Sequence, residues 1–295
     1  MASADFYDCK AETTYKKTIT TMSETNNKLA ILVMSCDKYQ GVWNDFFNLK
    51  ERYWPDCPYT CYLATDSVNY EREGVKLIHF GNIRLWTVCA RKALDQIPEP
   101  YVALFLEDAF ICDKVDTSVI NSDLSFILEN KADFFTLEKS RVGDKKYPAE
   151  NVAPHIWRIN KHCQYGIETS AAIWEKTFFY EQLNREDCNA WQFEVNLFND
   201  AVSEQGLPGN IFCDDRTPFN ISPVEVIRVG KLRPQAIKFF KERGYEIDVE
   251  SMPIMSRMEV IKETIRDKAS HFKFGRGFMK KIGKLLDFYT YTTKK

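Results

Sequence analysis

The sequence predicts an α/β fold built on a mostly parallel central sheet flanked by helices. Three observations carry that expectation. Leu29–Met34 and Val102–Leu106 are unbroken apolar runs, the pattern of strands buried on both faces. Segments of helical periodicity separate the strand-like runs, giving the order β-α-β-β-α-β over the first half of the chain. Three of those four strands stop at polar or acidic residues: Ser35 and Asp37, then Asp66, then Glu107 with Asp108. If the strands are parallel, their carboxyl ends meet at one edge of the sheet, where open α/β folds bind ligands.

The elements follow in order. A strand over 29–35 leads into Cys36-Asp37-Lys38-Tyr39, and a helix over 42–54 carries apolar residues at 42, 43, 46, 47, 49, 53 and 54 until Pro55 and Pro58 end it. Strands over 59–65 and 75–80 come next, closed by Asp66-Ser67 and Gly81-Asn82. A helix over 85–97 stops at Pro98 and Pro100, and the strand ending in Glu107-Asp108 follows. Beyond it the pattern predicts a helix over 117–130, a strand over 132–137 and a long loop over 141–154 that could cover an active site. A helix from Trp174 to about 183 and another from Trp191 to near Gly206 come after. Short strands over 211–213 and 224–229 and helices over 234–243 and 258–272 complete the chain. There is no internal repeat.

Composition narrows the class. Hydrophobic residues make up 44% and aromatics 14% of the 295 residues, enough for a sizeable core. No stretch of about 18 apolar residues occurs, so a spanning helix is not expected. Residues 1–28 read as a flexible polar leader without a signal-peptide core. Nine cysteines include no Cys-x-x-Cys pair, which favours reduced structural thiols in a cytoplasmic protein over a zinc site or disulfide framework. The net charge of −2 hides a division: residues 268–295 hold eight Lys/Arg and one acid, net +7, which leaves −9 on residues 1–267. In that tail Phe274, Phe278, Ile282 and Leu285 form an apolar stripe flanked by Lys273, Arg276, Lys280, Lys281 and Lys284. The expected partner of residues 268–289 is an anionic membrane surface rather than nucleic acid, since no nucleic-acid-binding module accompanies them. The alternative is a docked C-terminal helix with solvated lysines.

Several residues could carry chemistry. Glu107 and Asp108 suit a Mg²⁺ or Mn²⁺ ion shared with substrate phosphates, or could cap the next helix, a task for which Asp113 and Asp116 are better placed. Asp37 and Asp66 could receive ribose hydroxyls or a base edge, and Lys38 a phosphate, or all three could be solvated turns. Trp86 could stack on a base or sit in the core. In Trp191-Gln192-Phe193-Glu194 the carboxylate of Glu194 lies on a partly apolar helix face, suited to a general base. His155 could be a ligand or phosphate contact. The chain lacks Gly-x-Gly-x-x-Gly, Walker, Gly-x-Ser-x-Gly and His-Glu-x-x-His motifs, which excludes dehydrogenase, P-loop, serine-hydrolase and zincin readings.

Over residues 29–260 the chain resembles nucleotide-sugar glycosyltransferases of the GT-A fold, of the kind that build bacterial lipopolysaccharide and capsule. The resemblance rests on Met34-Ser35-Cys36-Asp37-Lys38-Tyr39 with Trp43, Tyr53-Trp54-Pro55-Asp56-Cys57-Pro58-Tyr59, Phe105-Leu106-Glu107-Asp108, Ser170-Ala171-Ala172-Ile173-Trp174, Trp191-Gln192-Phe193-Glu194 and Gly230-Lys231-Leu232-Arg233-Pro234. It implies a GT-A domain over 29–267, with a nucleotide-binding half near 29–140 and an acceptor half near 141–267. It also implies transfer of a sugar from a nucleotide diphosphate sugar, a UDP-sugar above all, to a hydroxyl of a glycan or lipid-linked acceptor at the inner face of the membrane. Donor-binding residues would be Ser35, Asp37, Lys38, Asp66, Trp86, Glu107 and Asp108; Trp191 and Glu168 would lie on the acceptor side, and Glu194 would be the base of an inverting reaction. Glu107-Asp108 departs from the family's Asp-x-Asp element. The leaving diphosphate could therefore be held by a divalent cation or by Lys38, Arg84 or Lys231. Two other readings stay open: a sugar nucleotidyltransferase, which would want a glycine-rich loop where Ser35–Tyr39 stands, and a non-catalytic carbohydrate- or membrane-binding protein.

Overall fold

The computed structural model describes residues 27–137, 144–169 and 171–271. The leader up to residue 26 and the tail from residue 272, with the expectations placed on them, lie outside the described residues. The chain divides into two compact units, Met1–Val226 and Ile227–Lys295.

The first unit is organised by one sheet of nine strands: β1 (Leu29–Met34), β2 (Thr60–Thr65), β3 (Val75–His79), β4 (Tyr101–Leu106), β5 (Phe134–Thr136), β6 (Glu150–Ala153), β7 (Ile156–Arg158), β8 (Ala172–Glu175) and β9 (Ile211–Asp214). Their order is β3-β2-β1-β4-β8-β5-β9-β7-β6. β1 to β4 are mutually parallel, β8 is reversed, β5 and β9 resume the first direction, and only β7 opposes it again before β6. The α/β class and the mostly parallel sheet read from the sequence are present.

The unbroken apolar runs have the predicted cause. All six residues of β1 are buried. One face of the sheet, with Ala30, Leu32, Val102 and Leu104, packs on α2 (Trp86–Leu94), α4 (Lys176–Leu183) and α5 (Ala190–Val202) through residues such as Ala90, Phe179 and Leu197. The opposite face meets α1 (Trp43–Tyr53), where Phe46 stands edge-on to Phe105 at 6.0 Å. α3 (Thr117–Asn130) brings Phe126 against Phe135 and Phe212. Its N-terminus is capped by Asp116, whose carboxylate accepts from the Ser118 amide at 2.9 Å, so Glu107 and Asp108 are not the capping acids. A buried cluster ties α3 to β9: Arg216 bonds Asp214 at 2.6 Å and Asp123 at 2.7 Å, both fully buried.

Two expectations are corrected. The segment expected to begin a helix at Trp174 is the strand β8, inserted between β4 and β5; the helix starts two residues later, capped by Glu175. A four-residue strand is too short to show its period, and the apolar residues around it run on into the helix. The loop expected over 141–154 ends in β6, a hairpin partner of β7. β6 is largely exposed along its length, so it carries no apolar run to announce it.

The second unit holds the hairpin β10 (Ile227–Arg228) and β11 (Lys231–Leu232), then α6 (Pro234–Lys241) and α7 (Arg257–His271). Two salt bridges tie the hairpin to α7: Lys231 to Glu259 at 2.6 Å and Arg228 to Glu263 at 3.2 Å.

Trp174 is fully buried, stacked on Phe179 with ring centroids 4.3 Å apart and edge-on to Phe134 at 4.6 Å. Trp174→Ala should lower stability by about 3–5 kcal/mol in denaturant titration, and Trp174→Phe by much less.

Candidate active site

The strand order reverses between β1 and β4, and a crevice at such a point lies beyond the carboxyl ends of both strands. Met34 and Leu106 are paired across that boundary. The next residues, Ser35 and Glu107, therefore emerge side by side. The Ser35 amide continues the ladder to the Ala64 carbonyl at 2.9 Å, and its hydroxyl accepts from the Trp43 indole at 2.8 Å. The same hydroxyl donates to the Cys36 carbonyl at 3.4 Å.

Glu107 is half-buried and stands beside Asp108. Burial first, then the Asp108 charge, push its carboxyl up to about 8, although the Ser35 hydroxyl and the Glu107 amide pull the other way. At neutral pH Glu107 thus holds a proton. Burial raises the Cys36 thiol and the Tyr39 phenol as well, with Glu107 the next cause for each, which places both side chains in the same field.

Asp37 is in the opposite state. Its carboxylate accepts from the Thr65 hydroxyl, the Ser67 and Val68 amides (each 3.0 Å) and the Ser67 hydroxyl (2.7 Å). Burial opposes its charge, but these donors prevail and bring it down to about 2. The Asp37 amide donates to Asp66 at 3.0 Å. The two acids are brought together as expected, and most of the Asp37 carboxylate is spent on holding the turn after β2. Lys38 is exposed, with its ammonium 5.2 Å from the Tyr39 ring centroid. Trp86 is partly buried and packs on Phe193 and Phe179 at 5.4 and 6.3 Å.

The acceptor-side residues reach the same edge by a different route. β8 runs against β4, with Ala172 opposite Leu104, so the residues leading into β8 lie beyond the carboxyl end of β4. Glu168 and Thr169 are there. On α5, Glu194 accepts from the Thr169 amide at 2.8 Å and from its hydroxyl through the same Oε1. This fastens the candidate base to the strand beside Glu107-Asp108. Trp191, one turn earlier, is 51% exposed.

Sequence reading named His155 at this edge but missed its partner, Asp215. Beyond β9, Asp215 holds the His155 ring at Nδ1 and the Trp157 indole, both at 2.9 Å, and its amide donates to the His155 carbonyl at 3.0 Å. His155 takes a left-handed backbone, φ 65°, and leaves its ring half exposed. The signal was in the chain: Ile211–Cys213 ends in Asp214-Asp215 just as Val102–Leu106 ends in Glu107-Asp108. Elsewhere, a cleft of about 430 Å³ lined by Arg158, Lys161, His162 and Ile211 opens at the amino end of β9, the edge away from these acids.

Among the described residues no three His, Cys, Asp or Glu side chains form a group able to hold a metal ion. Glu107 and Asp108 fit a cation only in the manner of two carboxylates whose remaining ligands come from water and substrate phosphates.

No protein-family model and no curated protein sequence matches the chain. Among solved structures it is similar to Staphylococcus aureus TarS (11% identity, 85% of this chain and 44% of that one, TM-score 0.40). It is similar also to the bifunctional IspDF from Campylobacter jejuni (10% identity, 58% and 47%, TM-score 0.34) and to UDP-glucose pyrophosphorylase complexed with UDP-glucose (11% identity, 63% and 89%, TM-score 0.38). The chain thus spans less than half of TarS and of IspDF. At such identities and scores these likenesses carry no functional argument.

Because Glu107 must lose its proton to ligate a cation, Mn²⁺ affinity in the presence of a nucleoside diphosphate should rise as pH increases, by roughly tenfold per unit up to about 8. Electron paramagnetic resonance of free Mn²⁺ reads this directly, and Glu107→Gln should remove the slope.

Proposed function

We propose that the chain is a GT-A-type glycosyltransferase that moves a sugar from a nucleotide diphosphate sugar to an acceptor hydroxyl. The observation that carries this reading is the convergence of two carboxyl groups at the switch point, Glu107 and Asp108, with a third, Glu194, tied to the adjoining strand through Thr169. The donor diphosphate lies at Glu107-Asp108 and its nucleoside toward Ser35 and Asp66. The acceptor approaches from the side of Glu168, Thr169 and Trp191.

In the reaction, the acceptor oxygen attacks the anomeric carbon while the bond to the diphosphate breaks. The sugar passes through an oxocarbenium-like state, and the departing nucleoside diphosphate keeps the bonding electrons. Glu194 takes the acceptor proton; its Oε1 is fixed by Thr169, so Oε2 is the atom that receives it. Attack from the face opposite the leaving group inverts the anomeric centre. A cation held by Glu107 and Asp108 supplies positive charge for the diphosphate when bound. Among the described residues of this unit, Lys38 and Arg84 are exposed cations that could share this charge. Lys231 lies in the second unit, where its ammonium pairs with Glu259 at 2.6 Å. A UDP-sugar donor, a lipid-linked or glycan acceptor of surface polysaccharide, and a place on the inner face of the membrane are parts of the same proposal. Among the described residues no helix is long and apolar enough to cross a membrane.

Incubation with a panel of nucleotide sugars, with and without Mn²⁺, should release nucleoside diphosphate. Release of pyrophosphate from a nucleoside triphosphate and sugar phosphate would instead mark a nucleotidyltransferase, and no turnover of either kind would favour a binding protein. Glu194→Gln should abolish transfer, by about 10²-fold or more, yet leave nucleotide binding unchanged; near-full turnover would sink the assignment of the base.

A further inference from the structure

α7 presents two different faces. Glu259 and Glu263 point to the β10–β11 hairpin, where Lys231 and Arg228 neutralise them. Met258, Ile261 and Ile265 are 63, 42 and 58% exposed. At about 100° per residue these three fall within an arc of roughly 60°, turned well away from Glu259 and Glu263. Arg257 and Lys262 flank that arc on its two sides, and both are exposed. The helix therefore pairs Glu259 and Glu263 with its own unit and offers solvent an apolar stripe between two cations.

We infer that this outer face of α7 is a membrane-docking surface, and that its partner is an anionic lipid bilayer. An apolar stripe bordered by Lys and Arg is the composition of a helix that lies in the plane of a lipid interface, stem carbons down and charges at the headgroups. Charge complementarity selects the occupant. The acids of α7 nearest the stripe are already paired, and residues 268–295 carry net +7 in sequence against −9 on the rest of the chain. That excess of cations attracts an anionic surface at a distance, and the stripe at Met258, Ile261 and Ile265 adds apolar insertion at contact. Docking thus begins within the described part of α7, ten residues before the basic tail expected from sequence. The stripe belongs to the second unit, and its docking stands whether or not the glycosyl-transfer reading does.

Full-length protein should co-sediment with vesicles of phosphatidylcholine containing about one-third phosphatidylglycerol, and far less with phosphatidylcholine alone. The triple substitution Met258→Ser, Ile261→Ser and Ile265→Ser should reduce binding to the anionic vesicles by at least about tenfold, and the pair Arg257→Glu and Lys262→Glu should do the same. All five side chains are exposed, and unchanged thermal melting would confirm that both variants fold. Binding of the triple variant equal to wild type would overturn the inference, as would wild type that ignores anionic vesicles. Light scattering gives a further arm: a wild-type dimer that the triple substitution converts to monomer, with no vesicle binding by either, would show a self-association face and overturn the lipid assignment.

Discussion

The parallel pairing of β1 with β4 is the constraint on which the rest of the site depends. All six residues of β1 and five of the six of β4 are buried, and neither can shift register by one place without driving that surface to the wrong side. The register places Leu106 beside Met34, and so Glu107 beside Ser35. Everything else at the edge is referred to that boundary. β2 brings Asp66 to Asp37 on one side, and the reversed strand β8 brings Thr169 on the other. The acids are neighbours because the apolar runs preceding them are.

That edge also shows how environment, not residue type, sets a carboxyl group's state. Asp37 and Glu107 follow adjacent strands, yet one is held down to about 2 and the other raised to about 8. Asp37 sits among amide and hydroxyl donors that stabilise its charge, whereas Glu107 is desolvated next to another acid. Asp37 is accordingly suited to fixing a turn. Glu107, desolvated beside Asp108 at the sheet edge, is kept from taking up its charge. Deeper in the unit, burial and then the neighbouring Asp214 raise Asp123, and Arg216 keeps those two acids compatible.

Legibility followed the length of the periodic signal. β1, β4 and α3 were readable because six to fourteen residues repeat one pattern and stop at polar residues: Ser35, Glu107 and Asn130-Lys131. β8 was not, since four residues cannot distinguish a strand from the start of the helix that Glu175 caps. β6 is exposed and its partner β7 is three residues long, so the two strands that carry His155 between them gave no hydrophobic pattern. The pairing of Asp215 with His155 spans 60 residues, and no local rule reaches that far.

The sequence by itself determined which runs are strands, where they stop, and hence that acids would collect at one edge of a parallel sheet. These are properties of a single strand, set by burial on both faces and by the residue at which burial ends. Tertiary structure alone decided which acids are available to a ligand. It spent Asp37 on the turn after β2, packed Trp86 on Phe193, fastened Glu194 to Thr169 and paired Lys231 with Glu259. Each outcome depends on a partner distant in the chain, and a side chain's free valence is known only when that partner is in place.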